Sequence, residues 1–103
     1  MSDSVVRVAL LGGGTVGSQV ARLLTDSAED LQARVGAPLE LVAVAVRDVN
    51  KPRPGIPSEL LTDDPFAVVK REDVDIVVEV MGGIEPTKEL LEVALRNGAS
   101  VIT

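Results

Sequence analysis

The chain has 103 residues, 46% of them hydrophobic and 25% charged, which bounds it to one globular domain and leaves no apolar run long enough for a membrane helix. Its Asp and Glu number 16 against 10 Lys and Arg, for a formal net charge of -6, so the chain as a whole does not attract nucleic acid or anionic lipid, and an anionic ligand needs local help. With no Cys, disulfides, thiolate metal sites and thiol nucleophiles are excluded; the lack of His, Tyr and Trp leaves Lys, Asp, Glu, Ser and Thr as the groups available for catalysis.

The start, Met-Ser-Asp-Ser, has no basic stretch, and the apolar run that follows is too short for a signal sequence, so a cytoplasmic chain is expected. Val5 to Leu11 reads as the first strand. Val16, Val20, Leu23 and Leu24 then recur at the spacing of one apolar helix face. That helix extends through Leu31 and Val35 to the stop signals Gly36 and Pro38, with a break expected between Thr25 and Ser27. A second strand is predicted over Leu39 to Val46. The proline-rich stretch from Asn50 to Pro57 reads as a surface loop.

Asp64 before Pro65 has the form of an N-cap with proline at the first helical position, opening a short helix to about Arg71 that packs through Phe66, Val68 and Val69. A third strand is predicted over Asp75 to Val80. Pro86 and Gly98 bracket the last helix, with Leu90, Leu91, Ala94 and Leu95 on its packing side and Arg96 suited to its C-terminal dipole. Ser100 to Thr103 forms the fourth strand. The strands are nearly continuous runs of Val, Ile, Leu and Ala, the pattern of a parallel sheet covered on both faces. The expected fold is therefore α/β, a Rossmann-type doubly wound parallel sheet of order 3-2-1-4 with helices on both faces, and residues 1–103 form one partial domain.

The most informative motif is Gly12-Gly13-Gly14-Thr15-Val16-Gly17, a Gly-x-Gly-x-x-Gly set between the first strand and the first helix. In that setting Gly12 permits a tight turn, Gly14 lets the backbone approach a pyrophosphate, and Gly17 allows close helix packing. The amides and dipole of the helix N-terminus, opened by Thr15 and Val16, favour the anion. A turn serving geometry alone is the bland alternative. A Walker loop is disfavoured, because Gly17 is followed by Ser18 and Gln19 where Lys and Ser or Thr would stand.

The end of the second strand meets the adenosine ribose in such folds. It carries Arg47, with Lys51 and Arg53 close behind, and this local positive charge suits a 2'-phosphate. NADP is the expected cofactor, while Asp48 keeps NAD open as an acceptor of ribose hydrogen bonds. Met81, Gly82 and Gly83, past the third strand, are expected under the nicotinamide side. Glu79 reads better as a partner of nearby loop amides than as a reactive carboxylate, and Glu85 as support for the following helix N-terminus.

Four segments together resemble the N-terminal region of homoserine dehydrogenases: residues 12–17, Ala-Val-Arg at 45–47, Leu-Leu-Thr-Asp-Asp at 60–64, and Asp-Val-Asp-Ile-Val-Val-Glu-Val-Met-Gly-Gly-Ile-Glu-Pro at 73–86. The last is far more specific than the glycine fingerprint. The resemblance implies reversible conversion of aspartate 4-semialdehyde to homoserine with NADPH or NADH, in threonine and methionine biosynthesis. It also implies pyrophosphate over Gly12 to Gly17, the 2'-phosphate at Arg47, the nicotinamide ribose at Met81 to Gly83, and Thr103 near the nicotinamide. In the family a lysine in an Ala-Asn-Lys motif serves proton transfer beyond the position of Thr103, so no catalytic residue is expected within this chain, which alone would be inactive. A homodimer is implied for the longer protein, and a monomer or weakly self-associating species for this chain. Two other readings stay open: a dinucleotide-sensing regulatory module, and an oxidoreductase acting on another aldehyde or a sugar.

Overall fold

The computed structural model describes residues 5–12, 14–51, 53, 55–80 and 87–102. Five strands, β1 (Val6–Leu11), β2 (Leu39–Ala45), β3 (Leu61–Thr62), β4 (Ile76–Glu79) and β5 (Ser100–Ile102), form one sheet in the order β3-β2-β1-β4-β5. Every neighbouring pair is parallel. Among the described residues four α-helices, α1 (Thr15–Asp26), α2 (Ala28–Val35), α3 (Pro65–Val69) and α4 (Thr87–Arg96), and a single 3-10 turn at Ser58–Leu60 before β3 lie between them.

The expected Rossmann-type sheet is present, with one change in which segment fills which place. Leu61–Thr62 is the third strand and extends the sheet beyond β2, pairing with Val44 and Ala45. The run Asp75 to Val80, expected as the third strand, is the fourth and lies against β1, with Leu11 opposite Glu79. Two residues are too short to declare themselves by hydrophobic pattern, which is why four strands were legible and the fifth was not.

Alternation along the strands divides the core into two layers. Ala9, Leu11 and Val77 face α3 and α4, where Val68, Val69, Leu90 and Ala94 are buried. Leu10, Val44 and Val78 face α1, where Ala21 is fully buried beside Val20. Helices thus cover both faces. β2 interrupts the alternation: Val8 pairs with Leu41 and Ala9 with Ala43, leaving Val42 as an extra residue. Val42 and Ala43 accordingly pack into the same layer, while Leu41 and Val44 pack into the other.

The long first crossover breaks at Ser27 as expected, giving α1 and α2, and Gly36 closes α2 at a φ of 87°. Two side chains expected on packing faces are not on them: Leu23 is 51% and Leu95 59% exposed. In α1 the small pair Gly17 and Ala21, four residues apart, meets the sheet and brings the helix too close for a broad leucine face. In α4 the buried line is Leu90 and Ala94, with Leu91 and Val93 on its flanks. Asp64 caps α3 through a 3.1 Å bond that its carboxylate accepts from the Ala67 amide. The helix ends at Val69, two residues short of its expected end at Arg71.

Candidate functional site

The C-terminal ends of β1, β2 and β4 converge on the glycine loop. Gly12 donates its amide to the Ala45 carbonyl at 2.8 Å, and the Val80 amide donates to Leu11 at 2.9 Å. Gly12 has a φ of +111°, and a Cβ there would lie 3.0 Å from the Val80 carbonyl oxygen. A Cβ on Gly17 would overlap the Gly12 carbonyl. Both outer glycines are therefore required by packing.

Gly14 differs from them. It caps α1 in an extended conformation, its φ of -76° is open to any residue, and a Cβ there would meet nothing within 4 Å. No local contact demands glycine, and the free space lies at the mouth of α1. The first intrahelical bond recorded at this end runs from the Ser18 amide to the Gly14 carbonyl at 2.8 Å, so the amides of Thr15, Val16 and Gly17 precede it. The first turn of α1 contains no acidic residue. This geometry fits a pyrophosphate approaching a bare backbone at a helix N-terminus.

Beyond buried Val46, Arg47 is exposed. Its guanidinium enters none of the hydrogen bonds or ion pairs among the described residues. Asp48 is engaged locally: its carboxylate accepts the Asn50 amide at 2.9 Å, and its carbonyl accepts the Lys51 amide at 3.3 Å. Lys51 is exposed. The Arg53 guanidinium donates to the Asp48 carbonyl at 2.6 Å and to the Lys51 carbonyl at 3.1 Å. Sequence reading grouped Arg53 with the other cations as a source of charge and did not separate its role, because a bond from side chain to loop carbonyl has no sequence signature.

Glu79 sits half-buried at the end of β4 and has a polar partner. Met81, Gly82, Gly83, Glu85 and Thr103 lie outside the described residues. Among the described residues no cluster of carboxylates forms a metal site, and no helix is long and apolar enough to cross a membrane.

A parallel sheet of order 3-2-1-4-5, with a glycine turn feeding a helix N-terminus at its C-terminal edge, defines a nucleotide-binding domain of Rossmann type. The model of the family described as the homoserine dehydrogenase NAD-binding domain matches residues 12–103, and the chain belongs to that family. It is 55% identical over 100 residues to a homoserine dehydrogenase of Corynebacterium glutamicum, covering 97% of this chain and 22% of that protein. With a homoserine dehydrogenase of Mycobacterium bovis the identity is 58% over 101 residues, covering 98% and 23%. Among solved structures, homoserine dehydrogenase from Thiobacillus denitrificans superposes with a TM-score of 0.87 at 40% identity, over 95% of this chain and 23% of that one. The Staphylococcus aureus homoserine dehydrogenase determined at pH 7.0 gives 0.86 at 38% identity, over 97% and 26%. The chain thus spans about a quarter of the length of these relatives.

Proposed function

We propose that this chain is the dinucleotide-binding part of an oxidoreductase that interconverts aspartate 4-semialdehyde and homoserine, and that it prefers NADP(H) over NAD(H). The bound nicotinamide supplies or accepts the hydride, and this chain's own contribution is to seat the cofactor. Gly12, Gly14 and Gly17, with the amides of Thr15 and Val16, hold the pyrophosphate. Arg47 and Lys51 take the 2'-phosphate. Met81, Gly82, Gly83 and Thr103 are assigned to the nicotinamide side on the strength of the sequence pattern. The relatives' names support the reaction; a place in threonine and methionine biosynthesis, a cytoplasmic location and a dimeric longer protein belong to the same reading and rest on the sequence resemblance alone. Residues 1–103 act in this reading as the nucleotide-binding domain.

The observation that carries the cofactor preference is the contrast between neighbours: the Asp48 carboxylate is occupied by its own loop, while the Arg47 guanidinium is exposed and without a partner among the described residues. An NAD-selective site needs that carboxylate at the ribose; an NADP-selective one needs the cation. Arg47→Ala should weaken NADPH binding by about 10- to 100-fold, the range of a charge-assisted contact, and leave NADH nearly unchanged. Equal weakening of both cofactors in titration refutes the assignment.

A further inference from the structure

We propose that Arg53 is a positioning residue for cofactor selectivity: it shapes the loop that presents Arg47 and Lys51 and does not itself contact the 2'-phosphate. The inference rests on the reading of Arg47 and Lys51 given above.

Residues 48–51 form a turn closed by the Lys51 amide on the Asp48 carbonyl, at 3.3 Å, and by the Asn50 amide on the Asp48 carboxylate, at 2.9 Å. The first of these is long for a backbone bond and holds the turn weakly on its own. One guanidinium nitrogen of Arg53 donates to both ends of the same turn, to the Asp48 carbonyl at 2.6 Å and the Lys51 carbonyl at 3.1 Å. Charge-assisted bonds are the stronger kind, and here they fasten the two carbonyls that flank the turn.

The far side of the loop is anchored too. The Ile56 amide donates to the Arg53 carbonyl at 3.1 Å, and the Ile56 side chain is buried in the core layer that also holds Ala21 of α1 and Val46, just past β2. Arg53 is thus fixed relative to the core through its backbone, and it fixes residues 48 to 51 through its side chain. Its half-buried position agrees with that duty, whereas Arg47 and Lys51 are exposed on either side of the turn. A loose turn would have to be ordered when the phosphate binds, and the cost would fall on NADP(H) alone, because NAD(H) has no group there.

The test is a set of titrations on the full chain, followed by the emission of NADPH and NADH, which the absence of Trp and Tyr leaves free of overlapping protein signal. Arg53→Ala should weaken NADPH by about 3- to 10-fold, the range expected for ordering side chains on binding, with NADH unchanged. The retained NADH affinity also reports that the variant is folded. In an Arg47→Ala/Lys51→Ala background the same substitution should have no further effect, since the groups it positions are gone. A full further loss in that background would show Arg53 contacting the phosphate and overturn the proposal. So would an unchanged NADPH:NADH ratio in Arg53→Ala while Arg47→Ala lowers it. If neither Arg47→Ala nor Lys51→Ala changes that ratio, the reading beneath the proposal falls and the proposal with it.

Discussion

Gly17 lies so close to the Gly12 carbonyl that a Cβ on Gly17 would overlap the oxygen, so the turn and the first helix are packed backbone to backbone. No side-chain rotation relieves such a contact. Gly17→Ala is expected to push α1 away from β1 and to destabilise the domain by about 3 kcal/mol, measured as a fall in urea midpoint. Nucleotide binding should be lost with it.

Gly14→Ala should separate these effects. The added methyl meets nothing within 4 Å and the backbone φ is ordinary, so stability should fall by no more than about 1 kcal/mol, the scale of an N-cap change. The methyl would occupy the space assigned to the pyrophosphate. NADPH and NADH affinities are both expected to drop on the order of tenfold, which corresponds to about 1.4 kcal/mol. A variant with wild-type binding of both nucleotides would place the pyrophosphate elsewhere.

These two glycines also mark what the sequence could convey. The spacing of Gly12, Gly14 and Gly17 after an apolar run is a local signal, and the turn expected at Gly12 and the close helix packing expected at Gly17 are present in the backbone. The N-cap at Asp64 and the break at Ser27 were legible for the same reason, because caps and helix stops depend on adjacent residues. Leu61–Thr62 became a strand only because β2 offers an edge beside it, a relation between segments 17 residues apart in the Val44 to Leu61 pairing. The extra residue at Val42 is likewise invisible until β1 is laid alongside. Asp48 and Arg53 read as free charges in the sequence, and each is tied to its own loop by bonds that depend on how the loop closes.

The bulge at Val42 has its own fastening. Arg71 donates to the Val42 carbonyl at 3.3 Å and grips Asp73 with two bonds, of 2.9 and 2.7 Å. Those bonds hold the Asp73 carboxyl below its ordinary range, partly opposed by burial, and raise the Arg71 guanidinium. A lowered carboxyl contributes stability that is complete above its unfolded value of about 3.9 and is lost as pH falls through the folded value. Both side chains are more than a third exposed, so the contribution should stay below about 1 kcal/mol. Asp73→Asn should flatten the acid side of the stability curve below about pH 4, read by thermal melts, and leave the curve near neutrality parallel to the wild type. An unchanged acid slope would mean the pair contributes nothing.

In the layer under α3 and α4, Leu90 is fully buried among Val69, Val77 and Ala94. Leu90→Ala leaves a cavity in this layer and should cost about 2–5 kcal/mol. For a domain of this size, whose total stability is of the order of 5–15 kcal/mol, that is a large share, and it should show as a clear fall in the thermal midpoint measured by circular dichroism.

The β5 edge sets the expected association behaviour of the 103-residue chain. β5 pairs with β4 through Ser100, Val101 and Ile102, and no described strand covers its other side. Ile102 is 54% exposed there, and Leu95, on the preceding helix, is 59% exposed. An open strand edge with apolar side chains offers backbone donors and acceptors to a second copy. Three residues provide few such bonds, so the association should be weak and appear only as a sedimentation coefficient that rises with concentration. Ile102→Lys places a charge on the edge, the device by which natural sheets keep edges apart, and should hold the coefficient at the monomer value throughout. A wild-type coefficient independent of concentration at monomer size would rule the association out. A rise that persists unchanged in Ile102→Lys would move the contact to another surface.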